Sequence, residues 1–407
     1  MLRRLHIGWL LGVTLGCGTF PSAAPAQQPA GFDPAIEREF LDGMIAYGAG
    51  DYRQAEAAFR HILDRDPGLL RVRLELARTL FMEKKDEQAD YHFRLAAAEQ
   101  PPPQVTRNIV RFREAIRARR SWRFNFDIGI APDSNINSAT DKQTVDIYGL
   151  PFQLDPSARA RSGTGTFAGG DASVRLNRFG KVPIYLGAYG RWTRYRDHSF
   201  DDAYAGAEAG PEFQLGGGRL RTTATGLMRW YGRLPLVRSI GGHLDFEKLV
   251  GDKWTLGGSL LVRHNDYERR RDVDGWDAEA RVSANRPLGP TTLGFGYAGL
   301  ERSWANDPGQ AFWRAQAGIG ILKEIAWGLR PQLTIDLARQ MGDAPLAPFG
   351  KTRRDWLLQG SFSIYKRDWN FAGFAPSLSV TMTRNISTLE LYREKRLRGE
   401  VRLTKAF

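Results

Sequence analysis

The stretch Trp122 to Thr140, WRFNFDIGIAPDSNINSAT, divides the chain between two hydrophobic periodicities that one element type cannot share. Before it, apolar residues recur at helical spacing; after it, they recur at every second residue almost to the last position. The stretch opens with strict alternation, Trp122, Phe124, Phe126, Ile128 and Ile130 against Arg123, Asn125, Asp127 and Gly129, and then breaks into a Pro-Asp-Ser-Asn-Ile-Asn turn.

The helical half repeats itself from Pro34 to Pro103 at a period of about 34 residues. Gly43 aligns with Ala77, Ala55 with Ala89, Phe59 with Phe93, Arg60 with Arg94 and Pro67 with Pro101. Small, Ala, Phe and Pro at those offsets form the tetratricopeptide pattern: the small residue lets the first helix approach the second, Ala and Phe fill their contact, and Pro ends the pair. Two repeats are short of a free-standing solenoid. Val105 to Arg120 supplies a capping helix with Ile109, Phe112 and Ile116 on one stripe, and its Arg111, Arg113, Arg117, Arg119 and Arg120 leave the module basic at its exit. The first helix of each repeat lines the concave face, which points to Phe40, Met44 and Tyr47, then Arg71, Leu74, Arg78 and Phe81, as a groove for a partner segment or as a cover over the neighbouring domain.

Beyond Trp122, alternating segments of about ten residues are separated by Gly, Pro, Asp and Asn clusters, and about fourteen can be counted. The expected fold class is α+β multidomain: an all-α tetratricopeptide-like module over residues 32–120, then a transmembrane antiparallel β-barrel over 121–407. Aromatics mark the segment ends (Trp122, Trp192, Tyr195, Trp230, Trp254, Trp276, Trp304 and Trp356) as an interfacial girdle requires. Leu397, Gly399, Val401 and Leu403 run in phase with the terminal Phe407, the form of signal read by outer-membrane assembly machinery. Tight turns are expected at Gly216-Gly217-Gly218 and Pro287 to Pro290. Long loops are expected at Asp141–Ser162, Asp266–Gly275, Trp304–Gln310 and Gly342–Arg353.

Composition is compatible with this architecture without demanding it. Mean hydropathy is negative, but a barrel with a polar lumen averages the same way. Residues 1–26, with Arg3 and Arg4, an apolar run and Ala24-Pro25-Ala26, read as a secretory signal peptide. The one cysteine, Cys17, lies inside it, so a cleaved chain has no thiol chemistry; a lipidated Cys17 would want Leu where Thr14 stands. The formal charge is +13, yet residues 32–104 are net acidic, so the basic surplus lies in the second half. It suits lipopolysaccharide phosphates or an acidic cargo, or equally solvated loops; a secreted chain has little occasion to meet nucleic acid.

No constellation demands catalysis. The histidines lack metal-ligand spacing, so no metal or other cofactor is expected. Asp197-His198-Ser199 has triad residue types, but neighbours on a strand point to opposite faces. The conspicuous polar cluster is Asp133, Ser134, Asn135 and Asn137, ending at Thr140, whose simplest role is to shape the turn through bonds to backbone amides; guiding a passing chain is the alternative.

The motif G-x-x-P-D-S-N-I-N-x-A-T, which contains Gly129, Pro132, Asp133, Asn135, Asn137 and Thr140, and the ending R-N-I-x-x-L-x-L-Y-x-x-x-R (Arg384 to Arg396) stand with a signal peptide, a short helical-repeat module and a barrel. Together they resemble the surface lipoprotein assembly modulator (Slam) family over essentially the whole mature chain. The resemblance implies a non-enzymatic outer-membrane translocon of a Gram-negative bacterium: the periplasmic module docks cargo and the barrel conducts it. Implied partners are a cargo lipoprotein or secreted protein, periplasmic chaperones, outer-membrane assembly machinery, and lipopolysaccharide with membrane lipid. The competing expectations are a polysaccharide export porin with periplasmic repeats and a passive porin.

Overall fold

The computed structural model describes residues 33–407 apart from 100, 120–121, 177–181, 252, 348, 367–368, 370–373 and 407. The expected signal segment 1–26, Arg120 and Phe407 therefore lie outside the described residues.

Five helices come first: α1 (Pro34–Gly48), α2 (Tyr52–Arg65), α3 (Leu70–Met82), α4 (Asp86–Ala98) and α5 (Pro103–Arg119). Asp33 caps α1 by accepting from Ala35 N at 2.9 Å, ahead of Pro34 at the first helical position, and Asp51 caps α2 through Gln54 N at 3.1 Å. The repeat works by close approach. A Cβ on Gly43 would come within 2.7 Å of the Phe59 ring, so only glycine lets α1 lie this near α2. Ala77 and Phe93 hold the matching places in the second pair, and both are buried with Ala55, Ala89 and Phe59 in one core. Burying a ring such as Phe59 contributes about 1.5–3 kcal/mol. Helix α5 closes the open end: Ile109 and Ile116 are buried, and Phe112 stacks on Phe93 at 5.2 Å while meeting Phe81 edge-on at 5.1 Å. Its arginines, expected to make the exit of the module basic, are partly neutralised by partners on α4. Arg113 bonds Asp90 at 2.7 Å and Arg119 reaches Asp86 and the Phe81 carbonyl, so α5 is pinned to α4 by ion pairs.

The strands follow: β1 (Trp122–Asp133), a hairpin of β2 (Thr144–Ile147) and β3 (Leu150–Gln153), then β4 (Gly163–Leu176), β5 (Ile184–Arg194), β6 (Asp202–Leu215), β7 (Gly218–Tyr231), β8 (Leu234–Val250), β9 (Trp254–Tyr267), β10 (Gly275–Gly289), β11 (Thr292–Ala305), β12 (Phe312–Lys323), β13 (Leu329–Leu346), β14 (Lys351–Lys366), β15 (Ala375–Ser387) and β16 (Glu394–Ala406). All but the hairpin join one closed antiparallel barrel of 14 strands, each beside its sequence neighbour, with β1 returning to β16. Closure leaves no strand edge to satisfy, which is what a lipid surround requires.

Alternation sorts side chains between two surfaces. Ile128, Ile240, Val282, Leu300, Ile319, Ile335, Met382 and Val401 are exposed on the outer wall, while the intervening positions carry charge inward. Trp122, Trp192, Trp254, Trp276, Trp304 and Trp313 are exposed at or near strand ends, as an interface girdle, and Trp356 is exposed farther inside β14. Tyr195 departs from this expectation: it is buried on the inner side, where its ring crosses Gly165 and its backbone N–H donates to the Asp201 carboxylate at 2.9 Å.

The barrel strands run 11 to 18 residues, longer than the alternation suggested. Beyond the apolar belt both faces are polar, so periodicity sees only the part of each strand that meets lipid. Hence β13 and β14 absorb most of the loop expected at Gly342–Arg353, leaving residues 347–350. At one end three of the joints have only two or three residues, as at Gly216-Gly217 with positive φ. The longest connection, residues 134–162, lies at the other end and carries the β2–β3 hairpin. The helical module sits at the tight-turn end, touching β10 and the Ala326–Gly328 turn between β12 and β13.

Candidate functional site

The polar cluster after β1 proves to be a clasp between the first strand and the last. Pro132 and Asp133 belong to β1 itself rather than to the turn, and pairing with β16 passes over Ala131 and Pro132, where proline has no N–H to give. Just beyond that interruption, side chains take over. Asp133 is buried and accepts from Arg396 Nε at 3.0 Å and from the Asn135 amide at 2.9 Å. Arg398 lies 3.8 Å from the same carboxylate. Ser134 exchanges bonds with Leu397, its N donating to the carbonyl at 3.0 Å and its Oγ accepting from the amide at 2.8 Å.

Behind the clasp, Asn135 is fully buried; its Nδ2 donates to Ala139 O at 2.8 Å and its Oδ1 accepts from Ala139 N at 3.0 Å. Asn137 donates to Arg159 O at 2.8 Å and accepts from Arg161 N at 3.0 Å, tying the far side of the long loop. Thr140 is fully buried and bridges to Arg159. Gly129 sits lower in the seam, where a Cβ would meet the Val401 carbonyl at 2.2 Å and the Phe167 ring at 2.6 Å. Gly129, Pro132, Asp133 and Asn135 therefore act at the β1–β16 junction, while Asn137 and Thr140 tie down the long loop that leads to β4. Val401 and Leu403 pair with Ile130 and Ile128 and face outward across it.

Below the clasp the lumen is lined with both signs of charge, bridged between strands. Arg191 of β5 meets Glu400 of β16 at 2.9 Å, Arg175 of β4 meets Glu212 of β6 at 3.2 Å, and Arg314 of β12 meets Glu301 of β11 at 2.8 Å. Tyr297 donates to Asp336 at 2.8 Å. On β15 the inward positions are Ser377, Ser379, Thr381 and Thr383, a run of hydroxyls. Such a wall is mainly polar among the described residues, with apolar side chains such as Leu227 and Leu261 set between charged ones.

At the tight-turn end the module and the barrel rim share a contact that the sequence reading missed. Arg73 of α3 is almost wholly buried; its guanidinium donates to Pro67 O at 2.6 Å and lies 3.6 Å from Glu324 at the end of β12. Burial pushes the Arg73 pKa down and the Glu324 carboxylate pulls it back up. Alongside, Arg330 of β13 covers the Tyr91 ring at 4.1 Å, and burial, reinforced by Glu324, pushes that phenol up to about 12. A signal existed: Arg73 stands at i, i+4, i+7 with Ala77 and Leu80 on a core stripe, where an unpartnered arginine cannot stay.

The seven groove positions lie along the first helices of the two repeats. Arg71 covers the Phe40 ring at 4.9 Å and Arg78 covers Tyr47 at 5.3 Å, with Met44 and Leu74 partly buried between them. Phe40 is itself buried on Phe59, and Phe81 lies beneath Phe112 and Arg119 of α5. In the β5–β6 loop, Ser199 donates to Asp197 at 2.7 Å and His198 pairs with Asp201 at 3.1 Å, bonds that shape the loop.

A closed barrel with an apolar outer belt, aromatic ends and a charged lumen is an outer-membrane β-barrel, and its tight-turn end, where the helical repeats dock, is the periplasmic one. The family model described as "Surface lipoprotein assembly modifier" matches residues 122–407, and that described as "Surface lipoprotein assembly modifier, N-terminal TPR repeats" matches 27–93. The chain belongs to the surface lipoprotein assembly modifier family.

Its relatives are distant but extend over both domains. Surface lipoprotein assembly modifier 1 of Neisseria meningitidis is 26% identical, covering 90% of this chain and 75% of its own. The Haemophilus influenzae protein of the same name is 23% identical over 94% and 80%. The hemophilin secretion modulator of Acinetobacter baumannii is 21% identical over 88% and 76%.

Proposed function

We propose that this protein helps deliver lipoproteins or related secreted proteins to the cell surface, with the helical module receiving the cargo and the barrel conducting it. The observation that carries the reading is the union of a family-typical barrel and a repeat module docked on its periplasmic mouth. The names of the relatives, which speak of surface lipoprotein assembly and of hemophilin secretion, support the cargo class.

The role is non-enzymatic: the barrel supplies a passage, and the free energy comes from the cargo. A domain that folds outside gains about 5–15 kcal/mol, enough to make return unfavourable without nucleotide hydrolysis. Arg71, Arg78 and the aromatic faces beneath them give the groove its means of holding an extended segment, which periplasmic chaperones would hand over unfolded. The outer-membrane assembly machinery would insert the barrel itself, reading the last strand, and lipopolysaccharide would surround its outer loops.

Deleting the gene tests the proposal. A cargo should accumulate in the periplasm and vanish from the surface proteome; an unchanged surface proteome refutes it. A channel that conducts ions equally in planar bilayers with and without the module, alongside that unchanged proteome, marks a passive porin instead.

A further inference from the structure

The module's contacts with the barrel concentrate on one side of its mouth, and the cavity left on the other side is rich in arginine. Contacts run along β10, β12 and β13, through α4, the Arg73–Glu324 pair and Arg330 over Tyr91. Toward β1 and β4 to β9 a cavity of about 520 Å³ opens between α4, α5 and the barrel wall. Six arginines line it, Arg94 and Arg113 from the module and Arg123, Arg175, Arg219 and Arg221 from the wall, against four carboxylates, Asp90, Glu212, Asp245 and Glu247.

We propose that this gap is the periplasmic inlet of the barrel and that it recognises an acidic, extended polypeptide segment of the transported protein. The inference rests on the delivery role proposed above and names the chemistry of its first step.

Two carboxylates are shared, each between two arginines. Asp90 lies 2.7 Å from Arg113 and 3.2 Å from Arg94; Glu212 lies 3.2 Å from Arg175 and 3.5 Å from Arg221. Arg221 also covers the Tyr185 ring at 3.6 Å, and the Arg113 side chain is over nine-tenths buried. Arg219 also lies 3.6 Å from Glu247; these bridges hold the guanidinium groups in place, and six arginines against four carboxylates leave the lining with a net positive charge. Fixed, planar forks bind carboxylates with little further loss of side-chain freedom. A wall of this sign attracts acidic segments and repels basic ones. A polypeptide rather than a lipid is the occupant because Arg175, Arg219 and Arg221 share the inner phase of their strands with Glu212, away from the lipid-facing phase that carries Leu220.

The test uses the full-length protein purified in detergent and a fluorescent deca-glutamate peptide, with deca-lysine as the contrast. Wild type should bind deca-glutamate, lose it with rising salt, and ignore deca-lysine. Arg123→Glu/Arg219→Glu should weaken binding at least about tenfold, the loss of two charge-assisted contacts, while Arg270→Glu on the β9–β10 outer loop should leave it unchanged. If the double reversal fails to migrate as a folded barrel on unboiled gels, Arg123→Gln/Arg219→Gln replaces it with the same expectation. Absent binding, equal binding of both peptides, indifference to the neutral and reversed variants, or competition by phosphatidylglycerol nanodiscs in place of peptide each overturns the proposal. Binding is read on purified protein, so it can fail while the gene deletion still traps cargo, which separates this inference from the delivery role.

Discussion

Asp133 on the first strand and Arg396 on the last are 263 positions apart, yet the guanidinium grips the carboxylate at 2.5 to 3.0 Å where the two strands meet. The carboxylate is fully buried and the arginine is 21% exposed. Backbone pairing alone does not hold this end of the seam, because the ladder skips Ala131 and Pro132.

Asp133→Ala strands Arg396 and Arg398 in a polar but desolvated corner, and should cost about 3 kcal/mol. The expected readout is a lower temperature for conversion from the compact to the unfolded band on gels. Arg396→Met in the same chain should recover part of the loss, and an unaltered midpoint in the single variant would sink the clasp.

Gly129→Ala should block closure more than it should weaken a formed barrel. The added methyl meets the Val401 carbonyl at 2.2 Å and the Phe167 ring at 2.6 Å, both beyond easy relief. The folded fraction on refolding into detergent should fall sharply. Phe167→Ala should not restore it, because the tighter clash is with backbone; full rescue would place the constraint in the ring instead.

Glu324→Gln should loosen the module from the rim without unfolding either domain. Arg73 then keeps a buried charge with one partner fewer, worth on the order of 3 kcal/mol at the junction. Limited proteolysis between α5 and β1 should become faster, and Arg73→Met should reverse the effect. Equal cleavage rates in all three proteins would count against the contact.

Acid should weaken the helical module through Glu56. Burial opposes its charge, but Arg60 and Lys85 outweigh burial and draw the carboxyl down to about 2. A folded pKa below the unfolded value of about 4.3 gives stabilisation that is complete above that pH and is lost as pH falls toward 2. Neighbouring Glu83 is pushed up by burial and by Glu56, so it works in the opposite sense. Glu56→Gln should flatten the acid-side loss of helical circular dichroism, and Glu83→Gln should steepen it; the reverse order would show the assignment to be wrong.

Much of this was legible in residue order. Gly43, Phe59, Ala77 and Phe93 announce two helix pairs because each helix buries a stripe set by its own periodicity. Ile128 and Ile130 announce a wall facing lipid because neighbours along a strand point to opposite sides. The motif from Gly129 to Thr140 stood out as a turn, and half of it is; its other half is strand and clasp, which alternation could not tell once both faces became polar. Tyr195 has the same difficulty, being aromatic at a strand end but turned inward onto Gly165.

The sequence by itself determined the two periodicities, the boundary between them, the inward and outward sets and the position of the tight turns. These are local properties, decided by the backbone a side chain sits on. Only the tertiary structure decided that Asp133 answers Arg396, that Arg191 answers Glu400, and that Arg73 finds Glu324 across a domain junction. Each of those pairs depends on strand register and barrel closure, which bring together charges that no local pattern relates, and burial then makes leaving either partner alone too costly.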